Sequence, residues 1–278
     1  MITDWDDAYS NGNYIPGAEN FPGMWAGLAA SFRDDLTAKG RAETGIAYGP
    51  HDRERYDLFL PDGTPDGLVV FVHGGYWKAF DPSFWSHLAA GPVAQGWAVC
   101  LPGYVLAPEA RLSDITRQIG CAITHAAARI DGPIHLTGHS AGGHLVSRMM
   151  CANAPLPPAI QTRIENVVSI SGLHDLRPLL RTKMNDDLRL DEAEAIAESA
   201  TLQRPSLPCS ITCWVGADER PEFIRQNDLL ANIWTGLGAS TRAVHAPDRH
   251  HFDVIADLAD PHSDLTACLL SPIHAGDE

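Results

Sequence analysis

Short apolar runs alternate with longer amphipathic stretches along most of the chain. Apolar and β-branched residues dominate the runs, whereas in the stretches between them apolar residues recur at the spacing of one helix face. Such runs are typical of a parallel sheet whose two faces are both covered by helices. The predicted strands of this sheet are 68–72, 97–101, 133–137, 167–170, 210–215 and 241–245.

Two further strand-like pieces lie within residues 41–60, and their short link favours an antiparallel edge of the sheet. The predicted helices are 22–38, 84–95, 112–129, 141–151, 222–237, 252–258 and 262–270. No linker or repeat divides this order, so we expect a single α/β domain over residues 1–278. Residues 1–40 would form an irregular and helical segment near the active site. Residues 176–201 would form an insertion, either a partial lid or a solvated helical segment.

The composition is that of a folded protein, with 45% hydrophobic and 20% charged residues among 278. A formal net charge of −15 weighs against nucleic acid or an anionic membrane as a partner. The six cysteines include no C-x-x-C pair, which favours buried reduced thiols over a disulfide framework. The first residues lack a secretory pattern, and a cytoplasmic location is the default expectation.

Candidate chemistry lies just after the predicted strands, where ligands bind in open α/β sheets. Gly138-His139-Ser140-Ala141-Gly142 follows the strand 133–137 and precedes a helix, which is the context that a G-x-S-x-G nucleophile turn requires. The glycines would let strand and helix approach closely, with Ser140 at the tip. The free N–H groups at the start of the helix would point at the same place. Ser140 is therefore the predicted nucleophile.

A serine hydroxyl needs a base and an orienting acid, which follow it in chain order in this type of fold. The segment Gly216-Ala217-Asp218-Glu219 follows the strand 210–215, and His250-His251 follows the strand 241–245. His251 is the favoured base because it directly precedes an apolar segment. A turn of one glycine and two further residues before the carboxylate would select Glu219, which is favoured over Asp218 as the acid, although both stay open.

A second glycine pair, in His73-Gly74-Gly75-Tyr76-Trp77, follows the strand 68–72 at the same sheet edge. Glycines let a backbone curl beside a substrate with its N–H groups turned inward. Negative charge grows on a carbonyl oxygen under attack, and the loss of one preset donor costs roughly 3–4 kcal/mol of barrier. The N–H groups of Gly75, Tyr76 and Ala141 are the predicted oxyanion hole, and His73 is expected to be structural.

These motifs together resemble the α/β-hydrolase fold, and more narrowly the kynurenine formamidase-like esterases, neighbours of the hormone-sensitive-lipase group. The resemblance extends from about residue 45 to 260 and is carried by HGGYW, GHSAGGHL, GADERPEFIRQ and HHFDVI. It implies Ser140 as nucleophile, His251 as base and Glu219 as acid. Tyr76 stands where the lipase group usually has a third glycine, which favours the formamidase-like branch.

The expected reaction is a two-step acyl transfer on a small-molecule acyl amide or ester, such as N-formylkynurenine or an aryl ester, with no metal or organic cofactor. The predicted pocket residues are Trp77, Tyr104 and Leu173, with Tyr14, Trp25, Tyr76 and Phe80 as further aromatic candidates. A short-chain carboxylesterase, a thioesterase with the same triad and a non-catalytic binding protein of the same fold are the alternatives. A homodimer is compatible with the sequence, although no residue indicates an interface.

Overall fold

Eight strands form one sheet in the computed structural model, which describes residues 2–271. The strands are β1 (Ala42–Ala47), β2 (Arg55–Phe59), β3 (Leu68–Val72), β4 (Ala98–Pro102), β5 (Ile134–His139), β6 (Ile164–Ile170), β7 (Ser210–Gly216) and β8 (Thr241–Ala246). Their order in the sheet is β1-β2-β4-β3-β5-β6-β7-β8. Among the described pairs, β2 is antiparallel to both neighbours and the others are parallel. The predicted α/β fold with an antiparallel edge is confirmed.

Helices connect most of the strands. The α-helices of the described residues are α1 (Trp5–Ala8), α2 (Phe21–Ala38), α3 (Ala90–Ala94), α4 (Leu112–Ala127), α5 (Ala141–Arg148), α6 (Pro158–Gln161), α7 (Asn185–Leu188), α8 (Glu192–Ala197), α9 (Pro221–Gly236) and α10 (Asp264–Leu270). The 3-10 helices are Gly12–Tyr14, Ala18–Asn20, Pro82–Phe84, Ser86–Ala89, Arg177–Arg181, Ala200–Leu202 and Ala256–Ala259. Pro221 begins α9, at a position where its missing N–H costs nothing.

The central strand β3 shows why the sheet needs helices on both faces. Leu68, Val70 and Val72 belong to one buried cluster, and Val69 and Phe71 belong to another. The first cluster includes residues of α4, α5 and α9, and the second includes residues of α2, α3 and α10. Burying a side chain of this size contributes about 1.5–3 kcal/mol. Every position of the strand is therefore apolar, and the alternation of a half-exposed strand is absent.

Two predicted helices differ from the structure. The stretch 84–95 is broken into 3-10 helices and the short α3, because Pro92 has no N–H for the i−4 hydrogen bond. The stretch 252–258 forms a turn followed by a 3-10 helix. Here the N–H groups of Ala256 and Leu258 donate to the carbonyls of Asp253 and Ile255, three residues back instead of four, at 2.9 Å and 3.1 Å.

The segment before α2 packs against the loop that follows β3 and against α9. Tyr76 Oη donates to the carbonyl oxygen of Tyr9 at 2.5 Å, and Tyr9 Oη donates to Glu222 Oε1 at 2.8 Å. The insertion over residues 176–201 contributes buried leucines to the core, and none of its residues lines the cavity beside Ser140. The single domain over residues 1–278 stays a prediction. So do the placement of residues 1–40 near the active site and the role of residues 176–201 as a partial lid or a solvated insertion.

Candidate active site

Ser140 lies at the turn between β5 and α5 and has a left-handed backbone, with φ 55° and ψ −114°. A non-glycine residue in such a conformation costs of order 1–3 kcal/mol and persists only where the surrounding structure imposes it. Its N–H donates to the carbonyl of Ile170 at 2.8 Å, which ties the turn to β6. No other described residue forms a hydrogen bond with its hydroxyl. The hydroxyl therefore stands at the tip of a strained turn, without a protein partner among residues 2–271.

The two glycines that flank Ser140 allow this turn because backbones touch there. A Cβ on Gly142 would lie 1.9 Å from the carbonyl oxygen of Val72, and a Cβ on Gly138 would lie 2.4 Å from the carbonyl oxygen of Gly142. Neither distance can accommodate a methyl group. A side chain at either position would push α5 away from the sheet and move Ser140 with it.

The imidazole of His251 is paired with the carboxylate of Glu219. His251 Nδ1 donates to Glu219 Oε2 at 2.6 Å, and the Glu219 side chain has no exposed surface. The other carboxylate oxygen accepts from the backbone N–H of Gly216 at 3.0 Å and from the hydroxyl of Ser171. These contacts fix the carboxylate and assign the Nδ1 hydrogen, so Nε2 is the acceptor nitrogen of the neutral ring.

The two competing residues take no part in this contact. Asp218 is exposed, and its backbone N–H donates to the carbonyl of Arg249 at 3.0 Å. His250 Nδ1 lies 3.1 Å from Asp253 Oδ1. The turn after β7 thus brings Glu219 to His251 and leaves Asp218 on the solvent side.

His139 and Phe223 confine the His251 ring. The ring centroids of His139 and Phe223 lie 4.6 Å and 4.4 Å from that of His251. His139 Nε2 donates to the carbonyl of His251 at 2.9 Å. Burial, reinforced by the nearby His251, holds the pKa of His139 well below its usual range. His139 is therefore a neutral donor that supports the His251 backbone, and it adds no second positive charge.

The loop after β3 has three consecutive residues with positive φ, namely 107° at Gly75, 49° at Tyr76 and 57° at Trp77. Gly75 is required here because a Cβ would lie 2.5 Å from the carbonyl oxygen of Ala79. The Gly75 carbonyl accepts from the N–H groups of Lys78 and Ala79, each at 3.0 Å. No described residue accepts a hydrogen bond from the N–H of Gly75 or Tyr76. Both donors are thus open to a bound molecule.

This loop runs directly beside the serine. A Cβ on Gly74 would lie 3.1 Å from the Cβ of Ser140. Ala141, the first residue of α5, has an N–H without an intrahelical acceptor because it belongs to the first turn. Backbone donors of the loop and of the helix start are therefore both adjacent to Ser140.

Buried polar contacts hold the loop in its strained conformation. Trp77 Nε1 donates to His144 Nδ1 at 3.2 Å, and His144 Nε2 donates to the carbonyl of Glu198 at 2.8 Å. Burial lowers the pKa of His144 to about 4, so that the ring stays neutral and can accept from the indole. Tyr104 stacks on His73 with 4.4 Å between ring centroids and donates to the His73 carbonyl at 3.0 Å.

A cavity of about 510 Å³ opens in front of Ser140 and His251. This volume lies in the range of small-molecule sites, roughly 300–1,000 Å³. One wall is aromatic, and Trp25 and Trp85 pack there with 4.7 Å between ring centroids. The lining residues are Tyr9, Ser10, Asn11, Gly12, Ala18, Glu19, Pro22, Trp25, Gly75, Tyr76, Lys78, Ala79, Phe80, Trp85, His139, Ser140, His251 and Phe252.

Three side chains predicted to line the pocket lie in the core instead. These side chains are those of Trp77, Tyr104 and Leu173, and none of them has exposed surface. The left-handed backbone of Trp77 carries its indole inward to His144, and Tyr104 is held beneath the loop by His73. Of the further candidates, Trp25, Tyr76 and Phe80 line the cavity, whereas Tyr14 is 53% exposed and lines a smaller neighbouring one.

The residues near the site that were not predicted include Ser171 and Asn11. Ser171, which donates to Glu219, follows β6 directly and has φ 51°; a polar residue at a strand end was its only signal. Asn11 lines the cavity from the N-terminal segment. No local pattern could place it there, because its position depends on how that segment packs against α9.

Neither a metal cluster nor a spanning helix is present in residues 2–271. No group of three or more His, Cys, Asp or Glu side chains in this part of the chain is arranged to hold a metal ion. No helix of the same residues combines the length and apolarity needed to cross a bilayer.

Comparisons with known proteins agree with the α/β fold. The model of the alpha/beta hydrolase family matches residues 69–270. A kynurenine formamidase from Danio rerio is 29% identical over 238 residues, which are 82% of this chain and 80% of the relative. A kynurenine formamidase from Drosophila melanogaster is 25% identical and covers 84% and 83% of the two chains.

A solved structure from Silicibacter sp. TM1040, which carries a provisional thioesterase name, is 52% identical. It superposes with a TM-score of 0.92 over 96% of this chain and 99% of its own. Esterase 2 of Thermogutta terrifontis, at 19% identity and a TM-score of 0.65, covers 82% and 91% of the two chains and has the same fold.

Proposed function

The chain belongs to the α/β-hydrolase family and resembles its kynurenine formamidases, and we propose that it is a serine hydrolase of small acyl amides and esters. The observation that carries the proposal is the 2.6 Å contact between His251 and Glu219 beside the cavity that Ser140 also lines. A nucleophile, a base and an orienting acid in one place are what acyl transfer requires.

In the first half-reaction, Ser140 Oγ attacks the carbonyl carbon and forms a C–O bond while His251 Nε2 takes the hydroxyl proton. Glu219 accepts from His251 Nδ1 and stabilises the positive ring. The C–N or C–O bond to the leaving group then breaks, and His251 returns the proton to the departing nitrogen or oxygen. Water repeats the sequence on the acyl-enzyme, releasing the acid and restoring Ser140.

The oxyanion of each tetrahedral intermediate binds to the N–H groups of Gly75, Tyr76 and Ala141. Three observations support this role. The first two donors have no acceptor among the described residues, the loop lies against Ser140, and Ala141 begins a helix whose positive end faces the same region. Because these donors are held in place before the reaction, they stabilise the developing charge without reorganisation.

An arylformamidase-like activity is the preferred form of this function. The cavity of about 510 Å³ has an aromatic wall that suits a flat aryl leaving group. The formamidase relatives cover four-fifths of this chain. N-formylkynurenine is accordingly the first substrate to test, with short-chain aryl esters next.

A thioesterase is the second candidate, favoured by the name of the 52% identical structure. The described cavity residues include one cation, Lys78, which already pairs with Asp187 at 2.6 Å. One paired cation provides little positive charge to bind the phosphates of coenzyme A, and the chain as a whole has a net charge of −15. A small thioester fits the cavity better than an acyl-CoA.

The test compares N-formylkynurenine, p-nitrophenyl acetate and acetyl-CoA as substrates of the wild type and of Ser140→Ala. Turnover of the formamide or the ester, lost by about 10⁴-fold or more in Ser140→Ala, is the expected result. A fluorophosphonate should label the wild type and not this variant. Ser240→Ala, an exposed serine before β8, is the matched control and should keep both properties. Labelling that persists in Ser140→Ala would contradict the proposal.

A further inference from the structure

Asn11 is a cavity residue whose side-chain amide has no hydrogen-bond partner among residues 2–271. Asn11 is 6% exposed, and both its Nδ2 and its Oδ1 are buried without a partner among residues 2–271. Buried side-chain amides in folded proteins are nearly always hydrogen-bonded, and an orphaned one requires an explanation. The carboxamide has two N–H donors and one acceptor oxygen, and Asn11 belongs to the lining of the cavity of about 510 Å³.

Asn11 lies on the same side of the cavity as His251. Both residues line the main cavity of about 510 Å³ and also a smaller one of about 240 Å³, which Glu219 lines as well. The backbone of Asn11 is fixed by the N–H of Tyr14, which donates to its carbonyl at 3.0 Å. Asn11 therefore belongs to the lining of the same two cavities as the imidazole of His251.

The leaving nitrogen of a secondary amide has a requirement that an ester oxygen lacks. During expulsion it takes a proton from His251 Nε2 while it keeps the hydrogen it already carried. Where the bound substrate shields it from water, that N–H needs an acceptor, because a buried donor without one is costly. The corresponding oxygen of an ester carries no hydrogen at this step.

We infer that Asn11 is a specificity-determining residue for amide substrates, whose Oδ1 accepts a hydrogen bond from the N–H of the scissile amide. The inference rests on the proposed serine-hydrolase function. Trp85, the other described cavity residue with a buried unpartnered side-chain atom, offers only an N–H donor and cannot fill this role.

The test measures kcat/KM on formanilide and phenyl formate, which share the acyl and aryl groups and differ in the leaving atom. Asn11→Leu keeps the approximate size of the side chain and removes the acceptor. It should lower kcat/KM on formanilide by about tenfold and change kcat/KM on phenyl formate by less than about twofold. The loss should fall mainly on kcat, because the hydrogen bond matters most as the C–N bond breaks.

Asn11→Ala supplies a second measurement should the leucine variant misfold. It leaves room for a water molecule, which can replace part of the lost acceptor, and the anilide-specific loss should be smaller. Asn13→Ala is the matched control, since it removes an exposed amide from the same turn and should leave both rates unchanged.

Equal losses on the two substrates in folded Asn11 variants, or no loss on either, would overturn the inference while leaving the proposed function intact. A wild type that turns over neither substrate and resists the fluorophosphonate would instead overturn the proposed function, and the inference with it. A loss confined to the anilide supports both.

Discussion

Gly142 is the position where the smallest addition should do the most damage. A Cβ there would lie 1.9 Å from the carbonyl oxygen of Val72 and 2.9 Å from that of His73, whereas an ordinary contact needs about 3.4 Å. Both obstructing atoms are backbone atoms of β3 or of the loop that follows it, and β3 pairs with β4 and β5 on its two sides. In Gly142→Ala, α5 must therefore move by more than about 1 Å.

The magnitude follows from this displacement. Overpacking of a core usually costs about 1–3 kcal/mol, and we expect the upper end because no flexible side chain can yield. The same movement carries Ser140 away from His251 and the oxyanion loop. A misplacement of about 1 Å reduces turnover by roughly 100-fold, so activity should fall much further than stability alone would predict.

Urea unfolding and kcat/KM on the best substrate of the wild type measure the two effects. Gly27→Ala is the control, because it makes the same chemical change in the exposed interior of α2 where no atom lies within 4 Å of the added Cβ. It should stabilise the protein by about 1 kcal/mol and leave turnover unchanged. A Gly142→Ala protein with the unfolding midpoint and kcat/KM of the wild type would refute the reasoning.

Three further outcomes can be measured. Glu219→Gln should reduce kcat by about 10⁴-fold because it removes the charge that orients His251, whereas Asp218→Asn should change it by less than about twofold; the reverse pattern would reassign the acid. Burial lowers the pKa of His144 to about 4 and, with His144 nearby, that of His174 to about 3. Below pH 6.5 the unfolded chain therefore binds protons that the folded protein does not, and the free energy of unfolding should fall by up to about 1.4 kcal/mol per pH unit for each ring down to about pH 4. Urea midpoints at pH 7, 6, 5 and 4 check this, and the decline should be shallower in His174→Gln. Trp77→Phe should destabilise the protein by about 1–3 kcal/mol because His144 Nδ1 loses its donor, and an unchanged urea midpoint would show that this contact is not stabilising.

The sequence predicted most of the fold because strand and helix periodicity are local properties. The strand Leu68–Val72 has the predicted bounds, since five consecutive apolar residues satisfy only a strand buried on both faces. The helices at 84–95 and 252–258 were wrong, because apolar spacing does not register a proline without an N–H and does not separate α-helical from 3-10 hydrogen bonding.

The candidate site also divides into a part that the sequence could predict and a part that it could not. Ser140, Glu219 and His251 each follow a strand, and the carboxyl ends of parallel strands meet at one edge, so a shared location could be predicted from chain order alone. The spacing favoured Glu219 but left Asp218 open, because the two residues are adjacent. The course of the turn decides which carboxylate meets the ring.

The sequence by itself determined the layered α/β architecture and the set of residues that could do chemistry at the strand ends. Tertiary structure alone decided the walls of the cavity. It buried Trp77 and Tyr104, which were predicted to line the pocket, and it brought Asn11 from the N-terminal segment into the lining of the cavity that His251 also lines. The physical reason is that periodicity specifies only which face of an element is apolar. Contacts between residues far apart in the chain decide where a side chain points in a left-handed loop. Such contacts also decide where a distant segment packs.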